Sequence, residues 1–333
     1  MLWKRSGDLI SFSADGQAES FNVGAGELVD IAYACAWPGS GEALLTAART
    51  STDRANVLEN RKGNYRAYRV SARGIEKMSE EYTNTAIPLP DNRGIAYANG
   101  AALVIIRDDE RRTHNVGRFN WGPTSLSCDE RGNLVAMTKW KGDDRKLAFA
   151  DLTSNTLSLS RFSFHSYLLL GDAILYVLNS DVHRYAPASG KSESITPRSV
   201  RAELLDAVGI GRARLSDVEV SFNNLSLLDG RVIVSTEVRH HESYKRLWLG
   251  IVELPYQQQP LRIVTSIEPP WRVGHVASTG DTVCITLERL ENLRLAETRV
   301  MSIGRRRESI AAGWRPLAHP RIPDHGFQFL PGA

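Results

Sequence analysis

The chain has 333 residues, of which 42% are hydrophobic and 24% charged, and its formal net charge is +3. That composition supplies ample apolar material for a core and excludes the low-hydrophobicity, high-charge profile of a disordered chain. A balance of 41 basic against 38 acidic residues is too even for whole-surface attraction to nucleic acid or an anionic membrane, so neither is expected as a partner.

Arginine supplies most of the positive charge, a bias that fits a bacterial protein encoded by GC-rich DNA. The opening MLWKRSGDLISFSADG lacks the apolar run of about 7–15 residues that a signal peptide needs, which leads us to expect a cytoplasmic protein. The apolar runs at Tyr167 to Leu170 and Ala173 to Leu178 are separated by Gly171 and Asp172 and fall far short of a membrane span. Cys35, Cys128 and Cys284 are widely spaced, odd in number and flanked by strand-like sequence. Buried free thiols are expected there, not a disulfide or a metal cage.

Taken in order, Asp8 to Val23 reads as a hairpin turning at Ala14-Asp15-Gly16. A lone hairpin is marginal, and the C-terminus is the natural source of further strands. Leu28 to Tyr82 holds four strand-like runs, LVDIAYACA, EALLTAART, YRAYRVS and IEKMSEEY, with a long polar connection between Thr50 and Tyr65. Asn84 to Phe119 repeats the pattern more tightly, with turns at Asp91 to Gly94, Asn99-Gly100 and Asp108 to Glu110. Phe119 to Phe162 is the most regular stretch, with strands expected at Thr124 to Cys128, Leu134 to Trp140, Leu147 to Leu152 and Thr156 to Phe162. Ser163 to Pro197 gives four more runs.

The alternation then breaks. In RSVRAELLDAVGIGRARLS, from Arg198 to Ser216, Val200, Leu204, Leu205 and Val208 recur at helical spacing, predicting a short helix that ends before Gly209 or Gly211. Strands resume at VEVSFNNLSLL, RVIVSTEV, RLWLGIVEL and PLRIVTSI, and a sixth unit follows in WRVGHVAS, TVCITLER, ETRVMSI and ESIAAGW. The Pro-rich end, Arg315 to Ala333, has room for two strands.

Successive four-strand units of this kind resemble the β-propeller superfamily at large, including its WD40, YVTN and TolB-like repeats. The likeness is one of fold: no unit carries the Trp-Asp ending of WD40 repeats, and the turns Ser13 to Gly16 and Asp129 to Gly132 echo TolB-like turns only loosely. The resemblance implies an all-β, seven-bladed propeller forming one domain over residues 1–333, with one short helical insertion. Its blades span about 28–82, 83–118, 119–162, 163–197, 198–267 and 268–312, and the seventh joins 313–333 to 1–23. Seven units over 333 residues average about 48 each, near the length of known propeller repeats. Sewing both termini into one sheet would close the ring and leave only short edges.

No chemistry-bearing pattern stands out. His240-His241-Glu242 sits in a turn without the spacing of a metal site, G-x-S-x-G and phosphate-binding glycine loops are missing, and acidic pairs such as Asp108-Asp109 fall where turns use Asp. A propeller hydrolase of the prolyl oligopeptidase kind would need a second catalytic domain, for which the sequence has no spare segment. Neither catalytic residues, nor a cofactor, nor a metal are therefore expected.

Binding residues are instead expected on the irregular parts of the scaffold, where long loops carry recognition. The candidates are Arg54, Asn56, Glu59, Arg61 and Lys62 in the polar connection, and Arg201, Glu203 and Arg212 in the helical insertion. Trp121, Trp271 and Trp314 lie near the starts of units, suited to packing between them or to anchoring an interface. The reading is a rigid protein-binding scaffold, a subunit of a bacterial complex or a protein that neutralises its partner. The alternative is a propeller hydrolase acting on lactones or glycans with a channel metal.

Overall fold

A computed structural model describes residues 2–3, 8–12, 18–22, 28, 30–37, 42–49, 65–71, 73–83, 85–90, 93–117, 126–129, 131–141, 144–160, 162–164, 166–171, 173–228, 230–256, 259–279, 282–292, 294–304 and 308–314. The chain divides into two compact units, one running to Ser163 and the other starting at Phe164.

In the first unit, β1 (Leu2–Trp3), β2 (Asp8–Phe12) and β3 (Ala18–Asn22) form a three-stranded antiparallel sheet in that order. The expected hairpin is therefore present and takes Leu2–Trp3 as a third strand, which its alternation alone did not indicate. Three four-stranded meanders follow. The first is β4 (Asp30–Ala36), β5 (Ala43–Ala48), β6 (Arg66–Ser71) and β7 (Gly74–Lys77). The second is β8 (Ala86–Pro88), β9 (Gly94–Asn99), β10 (Ala102–Arg107) and β11 (Glu110–Asn115). The third is β12 (Leu126–Cys128), β13 (Leu134–Lys141), β14 (Asp144–Asp151) and β15 (Thr156–Leu159).

The second unit has three more meanders. They are β16 (Ser166–Leu170), β17 (Ala173–Leu178), β18 (Asp181–Ala186) and β19 (Lys191–Ser194); then β20 (Val218–Leu228), β21 (Arg231–His240), β22 (Arg246–Glu253) and β23 (Arg262–Ser266); then β24 (Arg272–Thr279), β25 (Thr282–Glu291), β26 (Arg294–Gly304) and β27 (Glu308–Trp314). Helix α1 (Arg198–Ala207) joins the first of these sheets to the second. Residues 290–291 and 294–296, expected as a connection, instead lengthen β25 and β26, with Asn292 at φ +51° after β25 and a bulge near Arg289.

The order of strands follows a burial gradient written in the sequence. All of β5 is buried and β17 is buried except at Leu178, whereas the fourth strands GIEK and KSES are polar and largely exposed. Within each unit, successive sheets bury their apolar faces against each other. Ile87, Ala96 and Leu103 meet Val135, Met137 and Ala148 in one cluster, and Ile233, Leu249 and Ile251 meet Val276, Val283 and Ile285 in another. Burial of such faces, at about 25 cal/mol per Å² of apolar surface, is the main force holding sheet to sheet. One turn needs its glycine: Gly94 enters β9 at φ +133°, and a Cβ there would collide with the Ile106 carbonyl.

A hydroxyl marks the exit from three of the fourth strands. Ser79, Ser160 and Thr196, all buried, each accept a backbone N–H from the third strand, that of Ala67, Leu147 or Val182, at 2.9 Å in every case. A polar group so placed satisfies a buried donor where the ladder ends.

Candidate functional site

Only one segment of the described residues departs from the meander pattern, and it lies in the second unit. Helix α1 begins after Pro197, which fixes the backbone without offering a side-chain cap. Val200, Leu204 and Leu205 are its buried residues, and they join a cluster with Leu175, Val177 and Val182 of one sheet and Val218, Val220 and Phe222 of the next. The helix ends through Gly209 at φ +74° and Gly211 at φ +86°, followed by a 3₁₀ turn at Arg212–Arg214.

Polar contacts fix the helix in place. Arg201 donates to the Asp181 carboxylate at 2.6 Å and to the Ser180 carbonyl at 3.3 Å, and its guanidinium lies 5.8 Å from the centre of the Phe222 ring. Asp181 also accepts the Thr196 hydroxyl at 3.0 Å. Arg212 pairs with Asp206, whose carboxylate accepts the Arg212 backbone N–H at 3.0 Å as well.

Beside the helix lies an open cleft of about 590 Å³, lined by Asp181, Ser194, Thr196, Arg198, Arg201 and Ser216, with Pro197, Leu215 and Val218 as its apolar part. The residue after Ser216 is tied to the β21–β22 loop: the His241 N–H donates to the Asp217 carbonyl at 2.8 Å. That loop is closed by His240 N–H to Lys245 O at 2.8 Å and by Tyr244 N–H to His240 O at 2.9 Å. At its tip Tyr244 is 71% exposed and holds φ +52°, a left-handed conformation that costs a bulky residue energy and that Gly or Asn normally occupies. Leu247 is exposed close by in sequence.

The sequence-based candidates separate on this framework. Arg201, Glu203 and Arg212 fall together on the inserted segment, but Arg201 and Arg212 are occupied by Asp181 and Asp206 and serve to position it. Glu203 is exposed. Trp271 is half-buried against the cluster around Val276, with the Arg299 guanidinium 4.2 Å from its ring centre and its carbonyl accepting from Arg246, so it packs rather than projects. Trp314 ends β27 opposite Thr298. Arg54, Asn56, Glu59, Arg61, Lys62 and Trp121 lie outside the described residues.

Arg198 and Tyr244 are the residues that the sequence reading passed over. A signal for Tyr244 was present: an aromatic in the polar loop HHESYK, where turn chemistry favours Gly or Asn. Among the described residues no group of three or more His, Cys, Asp or Glu is placed to hold a metal ion. What this surface offers is hydrogen-bond donors, positive charge and an exposed ring.

No family model matches the sequence, and no curated protein matches it. Solved structures do. Oligopeptidase B from Trypanosoma brucei, with covalently bound antipain, superposes at a TM-score of 0.51 with 9% identity over 84% of this chain and 40% of that one. Dipeptidyl peptidase 4 from Porphyromonas gingivalis gives 0.49 with 10% identity over 92% of this chain and 51% of that one. TolB from Acinetobacter baumannii gives 0.36 with 13% identity over 74% and 61%. The chain thus spans about 40% of the oligopeptidase and about half of the dipeptidyl peptidase. At such identities the likeness speaks for fold alone, and the fold is that of a β-propeller with no specific family attached.

Proposed function

We propose that the chain is a rigid protein-binding scaffold of the bacterial cytoplasm, a seven-bladed propeller whose last blade joins strands from both termini. On this reading the docking surface is the inserted helix α1 together with the loop that carries Tyr244. One observation carries it: a 71% exposed tyrosine is held in a left-handed conformation on a loop whose His241 N–H bonds to the Asp217 carbonyl, where the segment inserted after β19 rejoins the next sheet. A residue kept where glycine would relieve strain, and kept outward, is best explained by contact with something else. Aromatic side chains are the commonest anchors of protein interfaces because they bury much area at little entropic cost.

The test compares wild-type protein with Tyr244→Gly, both recovered from the native host. The variant is expected to unfold at a higher temperature, since glycine adopts this conformation freely, and to lose a stoichiometric partner that the wild type retains. Equal partner recovery by both proteins, or no stoichiometric partner for the wild type, would overturn the proposal.

A further inference from the structure

The cleft beside α1 carries a more specific inference, which rests on that reading of the surface as a docking site. We propose that the cleft receives an acidic segment of the partner protein, a short run of carboxylate side chains. Its volume, about 590 Å³, falls within the roughly 300–1,000 Å³ of ligand-binding clefts.

Charge decides what fits. The cleft has one carboxylate in its lining, that of Asp181, and it is already engaged by Arg201 at 2.6 Å and by the Thr196 hydroxyl at 3.0 Å. Arg198, in contrast, lines the cleft, is exposed and forms no ion pair with any described residue. Arg214, just before Leu215 and Ser216 of the rim, is also exposed and also forms none. Nearby acids cancel only part of this charge. The Asp217 carboxylate, next to Ser216 of the rim, accepts the neutral Ser216 hydroxyl at 2.9 Å and keeps its charge, so it offsets Arg214 and leaves Arg198 as the net positive charge of the cleft. Glu203 follows Arg198 by five positions, which at about 100° per residue sets it some 140° round the helix, away from the cleft. The result is a concavity whose one unpaired charged group is the Arg198 guanidinium, suited to a carboxylate through charge-assisted, two-point hydrogen bonds. A protein segment is favoured over a free small anion because the cleft is open, and Asp217, which follows Ser216 of its lining, is bonded through its carbonyl to His241 of the Tyr244 loop.

Fluorescence anisotropy with labelled octaglutamate and octalysine tests this on the full chain. Wild-type protein is expected to bind octaglutamate and not octalysine, more weakly as salt rises. Arg198→Glu is expected to weaken binding by about tenfold or more, the scale of one charge-assisted hydrogen bond, with Arg198→Gln intermediate. Glu76→Gln, at an exposed position of β7 in the first unit, should leave binding unchanged. Because Arg198 is exposed, unchanged circular dichroism of the variants separates lost binding from lost fold. No binding of octaglutamate by wild type, equal binding of octalysine, or equal binding by Arg198→Glu would overturn the inference. Should that happen while partner recovery still depends on Tyr244, the scaffold reading stands and only the acidic occupant falls.

Discussion

The Thr196 hydroxyl donates to the Asp181 carboxylate at 3.0 Å while accepting the Val182 N–H at 2.9 Å. At the equivalent positions, Ser79 and Ser160 donate instead to a backbone carbonyl two residues on, that of Glu81 at 3.0 Å and of Phe162 at 2.9 Å. Two residues beyond Thr196 the chain has entered α1, so the hydroxyl has found a new acceptor, and that acceptor is the carboxylate which holds Arg201. The inserted helix is thus tied into a feature that the other sheets share.

Removing these hydroxyls should expose their role. Ser79→Ala and Ser160→Ala each leave a buried N–H without its acceptor, at a cost of about 1–3 kcal/mol. Thr196→Ala should cost at least as much, because Asp181 loses a donor too, while Thr196→Ser should recover most of the loss. Urea unfolding midpoints of the four variants check this. Loss from Thr196→Ala well below that from Ser160→Ala would contradict the shared role.

Acid should weaken the junction between the first two four-stranded sheets of the first unit. Glu81, on the connection between β7 and β8, accepts hydrogen bonds from the Tyr97 hydroxyl and from Arg111. Burial acts to raise its pKa, but these bonds outweigh it and hold the carboxyl below the ordinary carboxylate range. A depressed folded value means that the stabilisation is complete above the unfolded value of about 4.3 and is lost as pH falls through the folded one. Between pH 7 and pH 3, wild type should therefore lose more stability than Glu81→Gln, measured by urea unfolding at each pH.

Thiol chemistry should be silent in the folded chain. Cys35 donates to the carbonyls of Leu44 at 3.7 Å and Ala86 at 3.6 Å, and Cys128 to that of Pro88 at 3.9 Å, so the two cysteines flank β8 from β4 and β12. Burial raises both pKa values, that of Cys128 to about 12. In a Cys284→Ser variant, neither thiol should react with a disulfide reagent at pH 8 until denaturant is added. Prompt reaction of one equivalent would contradict the burial described.

Most of the fold was legible because each sheet is a local meander. Its strands alternate or run apolar over two to eleven residues and are separated by Asp, Asn and Gly at the turns, so pattern and pairing are neighbours in sequence. The helix was legible for the same reason, from the spacing of Val200, Leu204 and Leu205. Less was legible of the site. That Arg201 is occupied depends on Asp181, 20 residues earlier at the start of strand β18, and nothing in the insertion itself reveals it. The candidate arginines were named for their charge, whereas the structure leaves Arg198 as the one in the cleft without a counter-ion among the described residues. Tyr244 was passed over because composition marks its loop as solvated, and only the backbone angle shows that the residue is held there at a cost.

Hydrogen exchange on the chain with its stoichiometric partner bound tests the central claim most directly. Slowed exchange is predicted in residues 198–217 and 240–247, with the sheets of the first unit unchanged. Protection confined to the first unit, with α1 and the Tyr244 loop exchanging as in the free chain, would contradict it.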